Sequence, residues 1–583
     1  MEQGHYGSDL LVELLRRLGI RYVAANPGAS FRGLHDSLSR AGDPELVMTL
    51  HEGVAVAVAH GYAKAAGKPM ATALHNLVGL QHASMATFNA FADHAPILML
   101  GGSGPADHAR RRPWIDWVHT ANQQALVVRD VVKWDAQPAS LESLPDVMLR
   151  AHQLAMLQPQ GPTYVAMDAL LQELPAPEID LGDWGPSPIA SPTAAPARLE
   201  AVADLLVGAE HPVILADYVG RSRAGHDALL RLAEALAIPV VDLGGRHNFP
   251  TGHWADCSAE RHAQVEQADV VLALDCRDVR WAISRVDHDG RDHDVLLRPG
   301  ATLAVMTLNE VKHTGFLDLE PVITAAEHLL ADTAIALPVL ADLVEDAVAA
   351  RQGLTAKVAA RRERLTGHTD DLHARTRVPV ESTTGGISEG VLAHRAFEAV
   401  REGPWQIGFN MFRGWPRRMW DMVEFNCHLG GSGGAGLGFG VPGSIGAALH
   451  HAELGDDTIV MDLQPDGDLL YSAQALWTAA HHNLPLLVVV VSNRSYGADW
   501  LHQMRMVSAR GGDPELARHG IDLTGPVIDH AALARSQGVE AFGPVTERAA
   551  LDGVLTRAAS IVRDERRPVL VDVVVDLPTG SGI

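Results

Sequence analysis

Residues 484–491, LPLLVVVV, carry no polar side chain. A run so apolar and β-branched reads as a strand covered on both faces, which a one-sided sheet cannot provide. Its surroundings supply the cover. Residues 459–461 read as a second short buried strand that stops at Pro465-Asp466-Gly467. Residues 469–482 set Leu469, Leu470, Ala473, Leu476, Trp477 and Ala480 on one helical face. The unit is β-α-β, with a right-handed crossover expected. Asp466 and Asn493 then fall just past the carboxyl ends of parallel strands, where open α/β sheets bind ligands. A carboxylate, an amide oxygen and a nearby backbone carbonyl are hard donors that suit Mg²⁺ or Ca²⁺ beside a diphosphate. A solvated acidic turn and a turn asparagine would produce the same letters, and the spacing alone leaves both readings open.

The same alternation runs through the whole chain. Strand-like segments at 21–25, 46–50, 70–74 and 97–101 belong to a first block, 1–175, and a Pro/Ala/Ser-rich linker follows at 173–197. Segments at 212–216, 238–242, 270–275 and 302–307 make a second block, 198–335. Residues 338–382 read as helix plus polar connector, with RRERLTGHTDDLHARTR as a solvated charged stretch. The third block, 384–583, ends in a strand at 568–576. Strands alternating with helices throughout predict an α/β protein of three doubly wound parallel-sheet domains.

Composition narrows the partners. A formal net charge of −24 with no basic stripe argues against nucleic acid. The apolar runs are strand-length, too short for a membrane span. Cys257, Cys276 and Cys427 have no CxxC spacing and fit a reducing compartment. MEQGHYGSDL has no basic-then-apolar segment, so no secretory leader is expected, and a cytoplasmic protein is.

Several segments could carry chemistry. "AANPGASF" (24–31) places small residues at a turn after a strand, where a ligand could approach. "LHEGVAVAVAHGYAKAAG" (50–67) starts a helix with Glu52 set against an Ala/Val wall. Burial there would raise its pKa and ready it for proton traffic, whereas a glutamate at a helix N-terminus is also simply stabilised by the dipole. His75 directly follows a strand, as a general acid or base would, or as a satisfied loop histidine would. "GGRHNFPTGHWADC" (244–257) puts His253 on a Pro/Gly turn. His253, Cys257 and His262 match no compact zinc spacing, and zinc is rejected. "GGSGGAGLGFGVPGSIGAALH" (430–450) is a glycine-dense loop interrupted by Leu437, without the Gly-Lys-Ser/Thr of a Walker loop.

In this order, NPGAS, LHEGVAVAVAHGYAKAAG, GLGFGVP and DGD…ALWTAA…SNRSYG resemble the thiamine diphosphate-dependent 2-oxoacid decarboxylase/acetohydroxyacid synthase superfamily over nearly the whole chain. The segments ALHNLVG, FPTGH and ALWTAAHHNLPLLVVVVSNRSYGA are most similar to benzoylformate decarboxylases. The resemblance implies pyrimidine-binding, central and diphosphate-binding domains and a Mg²⁺- and thiamine diphosphate-dependent lyase or carboligase acting on a 2-oxoacid or related α-dicarbonyl. By it, Glu52 matches the glutamate that hydrogen-bonds N1′ of the aminopyrimidine, and Leu437 the wedge that bends the cofactor. The Ala435 carbonyl would accept from the 4′-amino group. Asn26, Pro27, Gly28, Gly467, Asp468, Asn493 and Tyr496 would line the cofactor. Asp466, Asn493 and the Ser495 carbonyl match the Mg²⁺ ligands. His75 and His253 match two proton-relaying histidines, and Ala29, Ser30, Ala498 and His502 fall where the substrate pocket is lined.

The chain also departs from that pattern. The usual Gly-Asp-Gly is Pro465-Asp466-Gly467, so one backbone N–H is lost at the turn. The usual Asn-Asn is Ser492-Asn493. Ala29 stands where benzoylformate decarboxylases have serine, with Ser30 next to it. WIDWVHT (114–120) has no assignable counterpart. An acetohydroxyacid synthase-like transferase and a catalytically degenerate cofactor-binding homologue are the alternatives. FAD is not expected, since the second block has no dinucleotide-binding fingerprint. The resemblance further implies a homodimer or homotetramer with active sites at the subunit interface.

Overall fold

The computed structural model describes residues 5–286, 293–309, 324–377, 385–412 and 414–576. Residue 384, where the third block was expected to start, lies outside these, as do 378–382 of the connector and the last seven residues. The chain forms three α/β blocks. The first sheet has six parallel strands: β1 (Tyr22–Ala25), β2 (Glu45–Met48), β3 (Met70–Leu74), β4 (Ile97–Ser103), β5 (Trp134–Ala136) and β6 (Thr163–Asp168), in the order β2-β1-β3-β4-β6-β5. The second contains β7 (Pro212–Ala216), β8 (Val240–Asp242) and β9 (Val270–Leu274). A small antiparallel pair, β10 (Ser284–Val286) and β11 (His293–Val295), stands apart from it, and β12 (Thr302–Thr307) and β13 (Glu327–Leu330) complete it in the order β13-β12-β9-β7-β8. The third contains β14 (Trp405–Asn410), β15 (Ile459–Pro465), β16 (Leu486–Ser492), β17 (Glu540–Val545) and β18 (Val569–Val574), ordered β14-β15-β16-β18-β17. All pairings in the three large sheets are parallel. The apolar run that opened the reading is β16, buried along its whole length between β15 and β18.

Two sequence expectations need correction. The helix foreseen over 469–482 is instead one turn at Asp466–Leu469 and a separate helix at Ala475–His481. The charged stretch 361–377 is largely exposed, as expected, but it is helix rather than connector: residues 361–376 belong to Leu354–Thr376. Arg361 explains its attachment: it is buried and donates to the carbonyls of Leu236 and Ala209, each at 2.8 Å. No helix among the described residues is long and apolar enough to cross a membrane.

The first and third blocks share one hydrophobic core, while the second has its own. The shared core forms where the Glu52–Ala66 helix crosses the Gly440–Leu454 helix. Glycines let the backbones touch there. A Cβ on Gly61 would come within 1.9 Å of the Gly443 carbonyl oxygen, and one on Gly446 within 2.1 Å of that of Val58.

His247 and His428 are buried between the second and third blocks, and neither ring nitrogen of either has a hydrogen-bond partner. Burial, reinforced by the Arg417 cation, pushes each down to about 3 from 6.5. The unfolded chain therefore takes up protons between pH 6.5 and 3 that the fold refuses. Stability should fall as pH is lowered through that window, by about 1.4 kcal/mol per pH unit for each histidine. Urea unfolding at pH 7 and pH 5 checks this. His428→Leu should flatten the difference relative to the parent chain, and an equal pH dependence in both proteins would contradict the assignment.

Candidate active site

Two loop clusters and a glycine-rich strap carry the candidate residues. The first cluster lies past the carboxyl ends of β15 and β16, which are adjacent and in register from Val460–Leu486 to Pro465–Val491. Pro465 ends β15 in extended geometry, with φ −69° and ψ 154°, a value its ring already favours. Asp466 follows, almost fully buried; its carboxylate accepts from the backbone N–H of Gly467 at 2.9 Å and of Arg494 at 2.7 Å. Even so, burial pushes it up to about 6. Asn493 Oδ1 accepts the Ser495 N–H at 3.0 Å and the Ser495 carbonyl accepts from Gly497 N–H at 2.9 Å, so each oxygen has a lone pair left. Tyr496 packs on Gly467, where a Cβ would come within 2.7 Å of its ring. Ala498 and His502 are exposed on the Gly497–Ala509 helix.

Two further acids crowd this end. Burial pushes Asp468 up to about 6, against the N–H groups of Gly438 and Gly440 that bond it, and leaves its Oδ2 unpartnered. Asp572 on β18 is pushed up to about 7 by burial and then by Asp466. No lysine or arginine side chain is paired with any of the three among the described residues. Such a group of buried, uncompensated oxygen donors fits a divalent cation with an attached diphosphate. No three His, Cys, Asp or Glu side chains are grouped as a metal site of their own among the described residues. A cation here would draw instead on the carboxylate, amide and carbonyl oxygens just named.

The second cluster lies past β1 and β3. Asn26 donates to the Thr49 carbonyl at 3.3 Å, and Pro27 and Ala29 are exposed beside it. Gly28 is obligatory: a Cβ there would sit 2.9 Å from the His75 ring. Ser30 is buried, and its hydroxyl lies 2.9 Å from His75 Nδ1. Glu52 begins the Glu52–Ala66 helix and is 8% exposed. It is not the isolated acid the sequence suggested, because His82 Nδ1 stands 3.4 Å from its Oε2, and His82 stacks on His51 at 4.8 Å. His253 is placed elsewhere. Its ring packs on Phe249 and Trp254, with Nε2 3.3 Å from Glu234 Oε1 and Nδ1 accepting the Ala255 N–H, so within one chain it shares no partner with His75. Glu52 and Asp466 likewise have no partner in common.

The strap runs between the first cluster, where the Gly438 N–H donates to Asp468 at 2.8 Å, and the Asn76–Ala92 helix. Asn89 clamps Gly436 with two hydrogen bonds, one in each direction and both 3.0 Å. Ala435 beside it has φ +56°, a left-handed conformation that strains a residue with a Cβ. Leu437 is half-buried. Behind the strap lies a charged group that the sequence did not mark. Asp93 accepts from Tyr218 at 2.6 Å, bonds His60 at 2.7 Å and pairs with Lys64 at 2.5 Å, and Lys64 also donates to the Gly431 carbonyl. His119 and His82 were missed as well. The signal for His119 was present in WIDWVHT, where a histidine stood in a segment with no other explanation.

Asn89→Ala would leave both backbone groups of Gly436 unpaired. The expected cost is about 2 kcal/mol in urea unfolding, with faster proteolytic cleavage within 430–438. Unchanged cleavage there would show that the strap is held by other contacts.

Comparison with known proteins finds a match within each of the three blocks. Residues 5–127 match the family model described as "Thiamine pyrophosphate enzyme, N-terminal TPP binding domain", 199–285 the corresponding central domain, and 410–573 the C-terminal TPP binding domain. The chain is 27% identical to a benzoylformate decarboxylase of Pseudomonas aeruginosa, covering 96% of this chain and 97% of that one. It is 26% identical to acetolactate synthase 1 of Nicotiana tabacum, covering 84% of this chain and 71% of the other. Among solved structures, a 4-hydroxybenzoylformate decarboxylase of Rhodococcus jostii RHA1 shares the fold at TM-score 0.74 and 22% identity, over 98% of this chain and 99% of that one.

Proposed function

Because the chain belongs to the thiamine pyrophosphate enzyme family, we propose that it is a Mg²⁺-dependent decarboxylase of a 2-oxoacid, or of a related α-dicarbonyl, able to transfer the aldehyde fragment. In this reading residues 1–175 hold the pyrimidine end of the cofactor, 384–583 the diphosphate end, and 198–335 form the central domain. The observation that carries it is the Ser30–His75 pair, with His119 3.2 Å beyond it. Releasing a free aldehyde requires a proton for the carbon that has lost CO₂, whereas a carboligase brings a second carbonyl there instead. A titratable array past β1 and β3 favours the decarboxylase over an acetolactate synthase-like transferase. The retention of Glu52, Asp466 and Asn493 together disfavours a degenerate homologue.

When bound, the cofactor supplies a nucleophilic carbon and an electron sink. The chain's own groups do the rest. Glu52, nearly buried at a helix start, would hold a proton at the aminopyrimidine ring nitrogen. Ala435 would present its carbonyl to the amino group, with Asn26, Pro27 and Gly28 beside the ring and Leu437 as the apolar wedge. Asp466, Asn493 and the Ser495 carbonyl would hold Mg²⁺, which offsets the mutual repulsion of Asp466, Asp468 and Asp572. Gly467 and Tyr496 would pack on the diphosphate. Ser30 and His75 would move protons at the substrate, with Ala29, Ala498 and His502 lining its pocket. As the resemblance implies, two chains would complete each site, Glu52 coming from one and Asp466 from the other. The assembly would be a homodimer or homotetramer in the cytoplasm, in which His253 would serve a site shared with another subunit.

The deciding assay presents pyruvate, benzoylformate and branched 2-oxoacids, alone and with an aldehyde, to protein loaded with thiamine diphosphate and Mg²⁺. CO₂ with free aldehyde is expected, and a hydroxyketone as the sole product would favour the transferase. Glu52→Gln should keep the cofactor bound while lowering turnover by about 10² or more, with a matching loss of hydrogen–deuterium exchange at the thiazolium carbon. Normal exchange in that variant would remove Glu52 from the mechanism. Asp466→Ala should abolish the upward shift in melting temperature that Mg²⁺ gives in the presence of thiamine diphosphate, about 2.7 kcal/mol at a hundredfold excess over Kd. A shift of parental size in Asp466→Ala would place the cation elsewhere.

A further inference from the structure

The segment between β4 and β5 is held against the Ser30 turn by its own backbone and by one ion pair. Arg112 donates to buried Asp116 at 2.8 and 3.1 Å and also reaches the Ala29 carbonyl at 3.3 Å. Thr120 Oγ1 donates to the Asp116 carbonyl at 2.5 Å. The Leu77 N–H, in the first turn of the helix that follows His75, donates to the His119 carbonyl at 3.2 Å. These contacts put the His119 ring edge-on to His75, centroids 5.3 Å apart, with His119 Nδ1 3.2 Å from His75 Nε2. His75 Nδ1 is already engaged with the Ser30 hydroxyl, which also accepts the Asn76 N–H at 3.3 Å. Three side chains therefore form one unbranched line.

We propose that His119 is a positioning residue of the active site, completing a Ser30–His75–His119 chain that sets the tautomer of His75 and resupplies its proton from solvent. The inference rests on the decarboxylase reading for its purpose, though the chain itself can be read without substrate. Neutral, the chain has two proton arrangements. In one, Ser30 donates to His75 Nδ1, His75 Nε2–H donates to His119 Nδ1, and His119 keeps its proton on Nε2. In the other, His119 Nδ1–H donates to His75 Nε2, His75 Nδ1–H donates to Ser30, and the Ser30 hydrogen points away, free to be given.

Delivery converts the second arrangement to the first. The Ser30 proton passes to an acceptor, His75 returns one to Ser30, His119 returns one to His75, and His119 Nε2 takes one from a solvent acid. One proton crosses and no charge remains. Burial, and then the neighbouring His119, push His75 below the ordinary imidazole value, which favours its neutral form near pH 7. His119 is half-buried, which leaves its outer nitrogen a way to solvent.

The test pairs two readouts on holoenzyme loaded with thiamine diphosphate and Mg²⁺. A hydrogen-bonded imidazole N–H resonates far downfield in proton NMR. The chain requires one such signal that disappears in His75→Ala and in His119→Ala but survives in His253→Ala. The absence of a signal shared by those two variants overturns the proposal whatever the substrate. With benzoylformate, His119→Ala should lower kcat about tenfold or more while KM and the cofactor affinity from tryptophan quenching stay within about threefold. Added imidazole, or His119→Asn with its amide oxygen in place of Nδ1, should restore part of the rate. Undiminished kcat in His119→Ala, or a loss that neither treatment relieves, overturns it. If the parent protein leaves benzoylformate untouched while the shared signal is present, the substrate reading fails and the chain stands.

Discussion

A single carboxylate holds the architecture to its function. Asp93 is 1% exposed and receives three partners from two blocks: His60 and Lys64 from the Glu52–Ala66 helix, and Tyr218 from the second block. Lys64 continues the network to Gly431 in the third block, while Arg277, itself bonded to Asp217, donates to the Gly433 carbonyl. Against a burial penalty, the Lys64 cation, then Arg246 and the His60 hydrogen bond, hold Asp93 well below the usual carboxylate range. Networks of this kind add little net stability compared with an apolar core, but breaking one partner strands a buried charge, at roughly 3–5 kcal/mol. What the network secures is register. The second block, whose core is its own, cannot drift against the fused first and third while one buried anion is shared among them.

The strap is what that register positions. A Cβ on Gly433 would lie 2.4 Å from that of Asp93, and one on Gly436 would meet Met85 Sδ at 2.2 Å. The glycines are therefore demanded by close approach to the network on one side and to the Asn76–Ala92 helix on the other. Ala435 alone keeps a side chain in a left-handed conformation, which costs on the order of 1 kcal/mol and turns its carbonyl out of line with its neighbours. The Asn89 clamp immediately after it is the local force that maintains that geometry.

What the sequence made legible follows from how local its signals are. β16 could be read because its apolar run is contiguous, and Asp466 and Asn493 because each follows directly on a strand end. The helix over 469–482 was misjudged because Leu469 and Leu470 fit a helical stripe, yet Asp468 turns back to bond Gly438 and the chain breaks before Ala475. The 361–377 stretch reads as a connector because eight of its residues are Arg, Asp or Glu, and most of it is exposed, whereas Arg361 anchors it as a helix through two carbonyls more than a hundred residues away. Asp93, His82 and His119 share that obstacle. Each acquires meaning only from a partner on a different element, and no periodicity within one segment records such a partner.

The third-block acids show the same logic from the energetic side. Asp462, on β15, has both carboxylate oxygens unpartnered and is held well above the carboxylate range by burial and by Asp468. Gln464, two residues on and facing the same way, also lacks partners for both polar atoms, and a Cβ on Gly440 would fall 2.0 Å from its Oε1. A chain selected for stability alone would place apolar side chains under this loop. The first-block site is unlike it: Ser30, His75 and His119 satisfy one another, and Glu52 has His82 beside it. The first-block site thus gathers titratable side chains that contact one another, and the third-block site an excess of buried oxygen. In the proposed reading, a divalent cation carried with one end of a ligand and a proton-exchanging ring at the other would answer both conditions at once.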